Sequence, residues 1–245
     1  MTGARSMKDR VAVVTGGASG IGQAIVLAMA DEGVTVHALT RGAIPAIRVR
    51  NGASISWHHV DLMDDRAISE FVARLRCTER GLDYLIHSAG QFQSGPVTET
   101  PIEMLDDAWR VNARAPFLLT QLLVPSLIRS KGFIGFINSS VWLNPRRELS
   151  AYTMSKYALK ALADSLRAEL NSHDVRVVSI YPGRTATPMQ QTIHDARAAF
   201  YRPDVLLQPE SIATALMSAF AMPPSCEVTD IYLRPSNAAP ANFQE

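Results

Sequence analysis

Short, strongly apolar runs alternate along the chain with longer segments of helical period. Val11-Ala12-Val13-Val14 is apolar at consecutive positions, the pattern of a strand covered on both faces. From Gly20 to Glu32 the apolar residues Ile21, Ile25, Ala28 and Met29 follow the helical repeat, and Gly33 ends it. The same reading predicts further strands over Val34–Leu39, Ser54–Val60, Tyr84–Ile86, Phe133–Ile137, Val175–Ile180 and Val228–Leu233. Helices are predicted over Asp65–Arg80, Ile102–Arg129, Tyr152–Ser172 and Glu210–Ala221, with Pro116 and Pro125 as kinks or boundaries of the long one. Strands alternating with helices make βαβ units, whose right-handed crossovers build a parallel sheet covered on both faces. The fold class expected is α/β: one domain spanning 1–245, with a doubly wound sheet of about seven strands and helices on both sides.

Composition supports that picture and removes several functions. With 47% hydrophobic and 19% charged residues in 245, one sizeable core is affordable and no disorder signature exists. A formal net charge of +1 argues against a nucleic-acid partner or a membrane surface held by bulk electrostatics. Cys77 and Cys226 have no CxxC or Cys/His partner, so neither a disulfide framework nor a metal site is expected. Met1 to Lys8 is polar with no apolar run behind it, and no uninterrupted apolar stretch is long enough to span a bilayer; the expected compartment is the cytoplasm.

Candidate chemistry begins where the first strand runs into Thr15-Gly16-Gly17-Ala18-Ser19-Gly20-Ile21-Gly22 and then a helix. Glycines there let the backbone turn sharply and approach a pyrophosphate seated on the free N–H groups of the helix N-terminus. The spacing departs from G-x-G-x-x-G, but strand, turn and helix come in the order the mechanism needs. A carboxylate about 20 residues further on commonly bonds a ribose 2′-hydroxyl. Here no Asp or Glu occurs from Gly33 through Val60, while Arg41, Arg48 and Arg50 do. A guanidinium at Arg41 suits a 2′-phosphate, which predicts NADP(H) in preference to NAD(H). Asp61, at the end of the third strand, either faces the ligand crevice or caps the next helix.

Tyr152 and Lys156 stand four residues apart on one face of a predicted helix. A neighbouring ammonium favours the phenolate, so the pair predicts a tyrosine tuned downward for acid/base work. Ser140 follows the fifth strand, where its hydroxyl can face the same crevice.

Taken in order, these segments resemble the short-chain dehydrogenase/reductase family, over about Arg10 to Arg234. The carrying motifs are the Gly16 to Gly22 turn, Asp61-Leu62, Ser88-Ala89-Gly90, Val111-Asn112, Asn138-Ser139-Ser140, Tyr152-x-x-x-Lys156, and Pro182-Gly183 with Thr187. The resemblance implies a Rossmann-like domain and hydride transfer between NADP(H) and a small carbonyl or alcohol substrate. Tyr152 then serves as proton donor or acceptor and Lys156 as the residue bonding the nicotinamide ribose. Ser140 orients the carbonyl; Ser139 is the rival, set aside because Ser140 directly precedes the usual valine. Asn112 holds a water linking Lys156 to solvent, or else merely kinks its helix. Gly16, Ser19, Gly20, Ile21, Gly22, Arg41, Asp61, Leu62, Ser88, Ala89 and Gly90 contact the nucleotide, and Pro182, Gly183, Thr185 and Thr187 flank the nicotinamide. A homotetramer or homodimer through the two long helices is the family precedent.

The chain departs from the family at His87-Ser88-Ala89-Gly90, where Asn-Asn-Ala-Gly is usual, losing an amide expected to brace neighbouring strands; His87 reads as a packed strand-end residue. The resemblance implies a pocket lined by Gln91, Phe92, Trp142, Leu143 and Asn144. A lid over 184–208 carries Met189, Gln190, His194, Phe200 and Tyr201. Arg146 and Arg147 either greet an anionic substrate or sit on an ordinary charged loop. Two alternatives to turnover as an oxidoreductase are an NADP-binding sensor or scaffold and an isomerase or dehydratase.

Overall fold

In the computed structural model the apolar runs assemble into one parallel sheet of seven strands, ordered β3-β2-β1-β4-β5-β6-β7. The structure describes residues 7–47, 54–75 and 81–236. Arg48, Arg50, Cys77, the predicted helix end toward Arg80 and the tail beyond Ser236 lie outside the described residues. The strands are β1 (Val11–Thr15), β2 (Thr35–Thr40), β3 (Ile55–His59), β4 (Tyr84–His87), β5 (Phe133–Ile137), β6 (Arg176–Pro182) and β7 (Asp230–Leu233). Helices α1 (Gly20–Asp31), α2 (Asp65–Arg74), α3 (Ile102–Trp109), α4 (Ala115–Ser130), α5 (Ser150–Leu170), α6 (Pro188–Ala196) and α7 (Pro209–Phe220) connect them.

The strands read as continuous apolar runs because both faces are covered. Val14, Val36 and Ile86 point into a core with Ile25, Met29, Leu216 and Phe220 from α1 and α7. Their neighbours Val13, Leu39 and Leu85 point the other way, onto Phe71, Leu119, Leu123 and Leu159 from α2, α4 and α5. Local chemistry sets the element ends. Gly33, at φ 81°, stops α1. The Asp64 side chain caps α2 by accepting from the backbone N–H groups of Arg66 and Ala67. Prolines open α6 and α7.

Residues Ile102–Ser130 form one continuous helical run. By length and composition it could cross a membrane, yet Leu119, Leu123 and Leu127 are wholly buried against the sheet. The irregularity expected at its prolines lies elsewhere. Pro116 sits in the first turn of α4 and Pro125 inside it, whereas a wide π turn over Arg110–Arg114 separates α3 from α4. That turn brings Asn112 to complete burial, and such π turns recur at functional sites. Helix α6 lies inside the segment expected as a lid. The two ends of that segment are tied by Ala186 N–H to Leu207 O at 2.8 Å and Leu207 N–H to Arg184 O at 3.0 Å.

Candidate active site

Strand order reverses direction at β1 and β4, and ligands of doubly wound sheets bind in the crevice such a switch opens at the strands' C-terminal ends. Here the crevice has two lobes, about 890 and about 310 Å³, which share Ile21, Ser88, Gly90, Thr187 and Met189.

The smaller lobe is built from backbone that side chains cannot enter. Gly16 has φ +67°, and a Cβ on it would lie 2.8 Å from Ala89 Cα; a Cβ on Gly22 would lie 2.2 Å from Gly16 O. Both are therefore glycine for close approach of chain to chain, which leaves the N-terminus of α1 open to the lobe. Thr15 Oγ1 accepts from the N–H groups of Ser88 and Ala89, each at 3.1 Å, and so holds the turn after β4 against β1. Ser19 precedes α1 without capping it through its side chain. Gly20 completes this wall, with Arg41, Asp61 and Leu62 opposite. Asp61 does not cap α2, a task Asp64 performs; its Oδ1 accepts from Met63 N–H at 2.9 Å. These surfaces fit a dinucleotide, and Ser88, shared by both lobes, has a buried hydroxyl without a hydrogen-bond partner.

The larger lobe carries Tyr152, Lys156, Ser139 and Ser140 on one wall. Burial pushes the Tyr152 phenol up from its ordinary value, and a hydrogen bond with the Ser139 side chain opposes that shift. This corrects the expectation that Lys156 tunes the tyrosine downward. The Lys156 ammonium is 5.8 Å from the Tyr152 ring centroid and is itself destabilised by burial, which lowers its pKa to about 8. Desolvation penalises the charged form of each group and is the leading cause of both shifts. Lys156 Nζ donates to Ile137 O at 3.1 Å.

Both Ser139 and Ser140 line this lobe. Ser139 is still extended, at φ −158° and ψ 148°; its Oγ accepts from Val141 N–H at 3.2 Å, and its side chain opposes the rise of the Tyr152 phenol. Ser140 begins the 3-10 turn Ser140–Trp142, which turns the chain away from the strand direction.

The Asn112 side chain is engaged by the protein on both its polar atoms. Its Oδ1 accepts from Gln91 N–H at 2.8 Å, and its Nδ2 donates to Gln91 O and Ser155 Oγ, both at 2.9 Å. It thus ties the segment after β4 to α5, one residue before Lys156. His87 packs as expected: it is 2% exposed, stacked on Phe136, and bonded through Nε2 to Thr120 Oγ1 at 2.8 Å. Burial lowers its pKa to about 3, so the ring is neutral.

Pro182, Gly183, Thr185 and Thr187 line the larger lobe opposite α1. The Thr185 hydroxyl donates to Gly183 O at 3.0 Å, and Thr187 caps α6 by accepting from Gln190 N–H at 3.2 Å. Phe92, Leu143, Asn144, Met189, Gln190 and His194 line this lobe as expected, and Gln91 lines the smaller one. Trp142 instead packs behind the wall against Tyr181 and Tyr157, and Phe200 and Tyr201 are not among the described lining residues. Arg146 lines the lobe and Arg147 does not; Arg184 and Arg202, from the segment expected over the pocket, line it too, as does Arg234, which the sequence reading left without a role. The signal for Arg184 was its place directly after Pro182-Gly183.

A family model described as short chain dehydrogenase matches residues 10–198. An uncharacterized short-chain type dehydrogenase/reductase of Sinorhizobium fredii is 31% identical over 231 residues, covering 92% of this chain and 91% of that protein. An uncharacterized oxidoreductase of Staphylococcus aureus is 30% identical over 235 residues, covering 94% and 98% respectively. The solved structure of a metagenomic short-chain oxidoreductase in complex with NADP matches with a TM-score of 0.81 at 28% identity, over 96% of this chain and all of that one. An alcohol dehydrogenase from Thermococcus sibiricus, complexed with 5-hydroxy-NADP, also gives 0.81, at 23% identity over 95% and 99%, a likeness of fold alone.

Proposed function

Because this chain belongs to the short-chain dehydrogenase/reductase family of oxidoreductases, we propose that it is NADP(H)-dependent and transfers a hydride between nicotinamide and a carbonyl or secondary alcohol, with Tyr152 as the acid/base. The observation that carries the reading is the convergence of Tyr152, Ser139 and Lys156 on the wall where the larger lobe meets the nucleotide cradle. A bound nicotinamide would supply or accept the hydride and, when oxidised, place a positive charge near the phenol.

The chain's own residues supply orientation and protons. Tyr152 Oη and Ser139 Oγ form a preorganised hydrogen-bond pair for the substrate oxygen as negative charge develops on it. With its pKa raised, Tyr152 is protonated at neutral pH and ready to donate to that oxygen in the reductive direction. Lys156, held by Ile137 O, bonds the ribose hydroxyls. Asn112 acts as a positioning residue by fixing Gln91 and Ser155. Phe92 stands 5.1 Å from the Tyr152 ring, centroid to centroid.

Arg41, beside Asp61 in the smaller lobe, supports NADP(H) over NAD(H), as does the NADP complex of the 28% identical relative. Phe117, Leu122, Met154 and Tyr157, exposed on α4 and α5, support a second copy of this chain as partner. The reading is tested by NADPH oxidation across a carbonyl panel: Tyr152→Phe should abolish turnover and leave NADPH affinity within about twofold. Turnover retained by the variant overturns it.

A further inference from the structure

The arginines around the larger lobe are not accounted for by hydride transfer. Among the described residues that line it are Arg146, Arg184, Arg202 and Arg234, together with Lys156, and no Asp or Glu. The whole chain holds 24 Lys and Arg against 23 Asp and Glu, so this one-sided charge is a property of the site and not of the composition.

Arg202 is paired with Asp204 at 2.5 Å. Arg184 is half-buried, directly after Gly183, on backbone that accepts from Leu207 N–H at 3.0 Å. Its guanidinium is held below the ordinary range by burial, and further by the charges of Arg146 and Arg197. Like charges gathered on a low-dielectric wall repel one another, and an anion placed among them relieves that repulsion. Arg146 and Arg184 line the larger lobe and not the smaller one, where Gly16, Gly22 and Arg41 lie. Phe92, Leu143 and Met189 offer apolar surface in the same lobe for a carbon body.

We propose that the carbonyl substrate is anionic, with its carbonyl oxygen at Tyr152 and Ser139 and a carboxylate or phosphate group held by Arg184 and Arg146. Calling this ligand a substrate rests on the hydride-transfer reading above; the anion selectivity does not. Guanidinium groups bind either oxyanion through paired N–H donors, so the two sources share one recognition chemistry.

The test is equilibrium binding to the NADP⁺-loaded protein, where aldehyde and oxidised cofactor cannot react, followed by tryptophan fluorescence or calorimetry. The probes are 4-carboxybenzaldehyde, 4-formylphenyl phosphate and the neutral methyl 4-formylbenzoate. One or both anions should bind at least tenfold tighter than the ester, and which one does identifies the oxyanion. Arg184→Gln should remove that preference while changing ester affinity less than twofold. Arg146→Gln, at an exposed position and so without risk to folding, should reduce the preference severalfold, as should 0.5 M NaCl. Equal affinity for anions and ester, no binding of any probe, or equal losses for all three in Arg184→Gln would overturn the proposal. Selective anion binding without NADPH oxidation by the wild type sinks the hydride-transfer reading alone; turnover without anion preference sinks this proposal alone.

Discussion

Replacing Lys156 with methionine is expected to leave the fold as stable as the wild type or more so at neutral pH, while ending turnover. The wild-type ammonium is 3% exposed, and burial lowers its pKa from 10.5 to about 8. That shift corresponds to roughly 3 kcal/mol against the charged form below pH 8. Methionine, similar in length and apolar, removes this cost. It also removes the bond from Nζ to Ile137 O at 3.1 Å and leaves that carbonyl without its charged donor, a loss of about 1–3 kcal/mol. The net at pH 7 is between about zero and about 2 kcal/mol in favour of the variant, on those hydrogen-bond values. The pH dependence isolates the charge. Because the folded pKa lies below the unfolded one, the unfolded chain binds the extra proton between pH 8 and 10.5, and wild-type stability rises with pH across that window. Lys156→Met lacks this rise. Urea unfolding of both proteins at pH 7 and pH 9.5 should therefore show the wild type gaining about 2 kcal/mol on the variant between the two conditions. Every other titrating group cancels in the double difference. A value below about 0.5 kcal/mol, within the error of such extrapolations, would refute the picture of a buried, desolvated ammonium.

The two adjacent serines separate cleanly: Ser139→Ala should lower kcat by about 100-fold, as loss of an oxyanion donor does, and Ser140→Ala by less than about fivefold; the reverse ranking in steady-state assays reinstates Ser140. Arg41→Ala should raise KM for NADPH at least tenfold and leave NADH kinetics within about twofold, since only the 2′-phosphate carries the matching charge; equal effects on both cofactors would remove Arg41 from that role. His87 stays neutral down to about pH 3, so the unfolded chain takes up a proton first as pH falls below 6.5. The wild type should then lose about 1.4 kcal/mol per pH unit relative to His87→Gln in denaturation curves between pH 6 and 4.5, and parallel curves would contradict a buried neutral ring.

Seven strands and the doubly wound order of the sheet were legible in the sequence because both faces are buried. Runs such as Val11 to Val14 and Phe133 to Ile137 have no polar side of the sheet to serve and so stand out from the helical segments between them. The glycine turn was equally legible: Gly16 and Gly22 are required by contacts within one βα unit and with the neighbouring turn after β4. Tyr152 and Lys156 share a helical face by local geometry alone. Helix α6 was missed because its nine residues are amphipathic only over a short span inside an irregular segment. The π turn at Asn112 escaped notice because prolines, the usual causes of irregularity, lay close by.

What the sequence determined by itself is everything set by neighbours along the chain: strand and helix periods, the glycine cradle, the Tyr152–Lys156 face and the order of the motifs. The tertiary structure alone decided what depends on convergence and on exclusion of water. The Ser139 side chain acts on the Tyr152 phenol because the fold brings the end of β5 against α5. The Tyr152 pKa moves up and not down because burial outweighs the hydrogen bond from the Ser139 side chain. Arg146, Arg184, Arg202 and Arg234, spread over nearly ninety positions of a chain with almost balanced charge, come to line one lobe only when the fold brings them together. Desolvation and charge clustering are sums over atoms remote in sequence, so no local pattern encodes them.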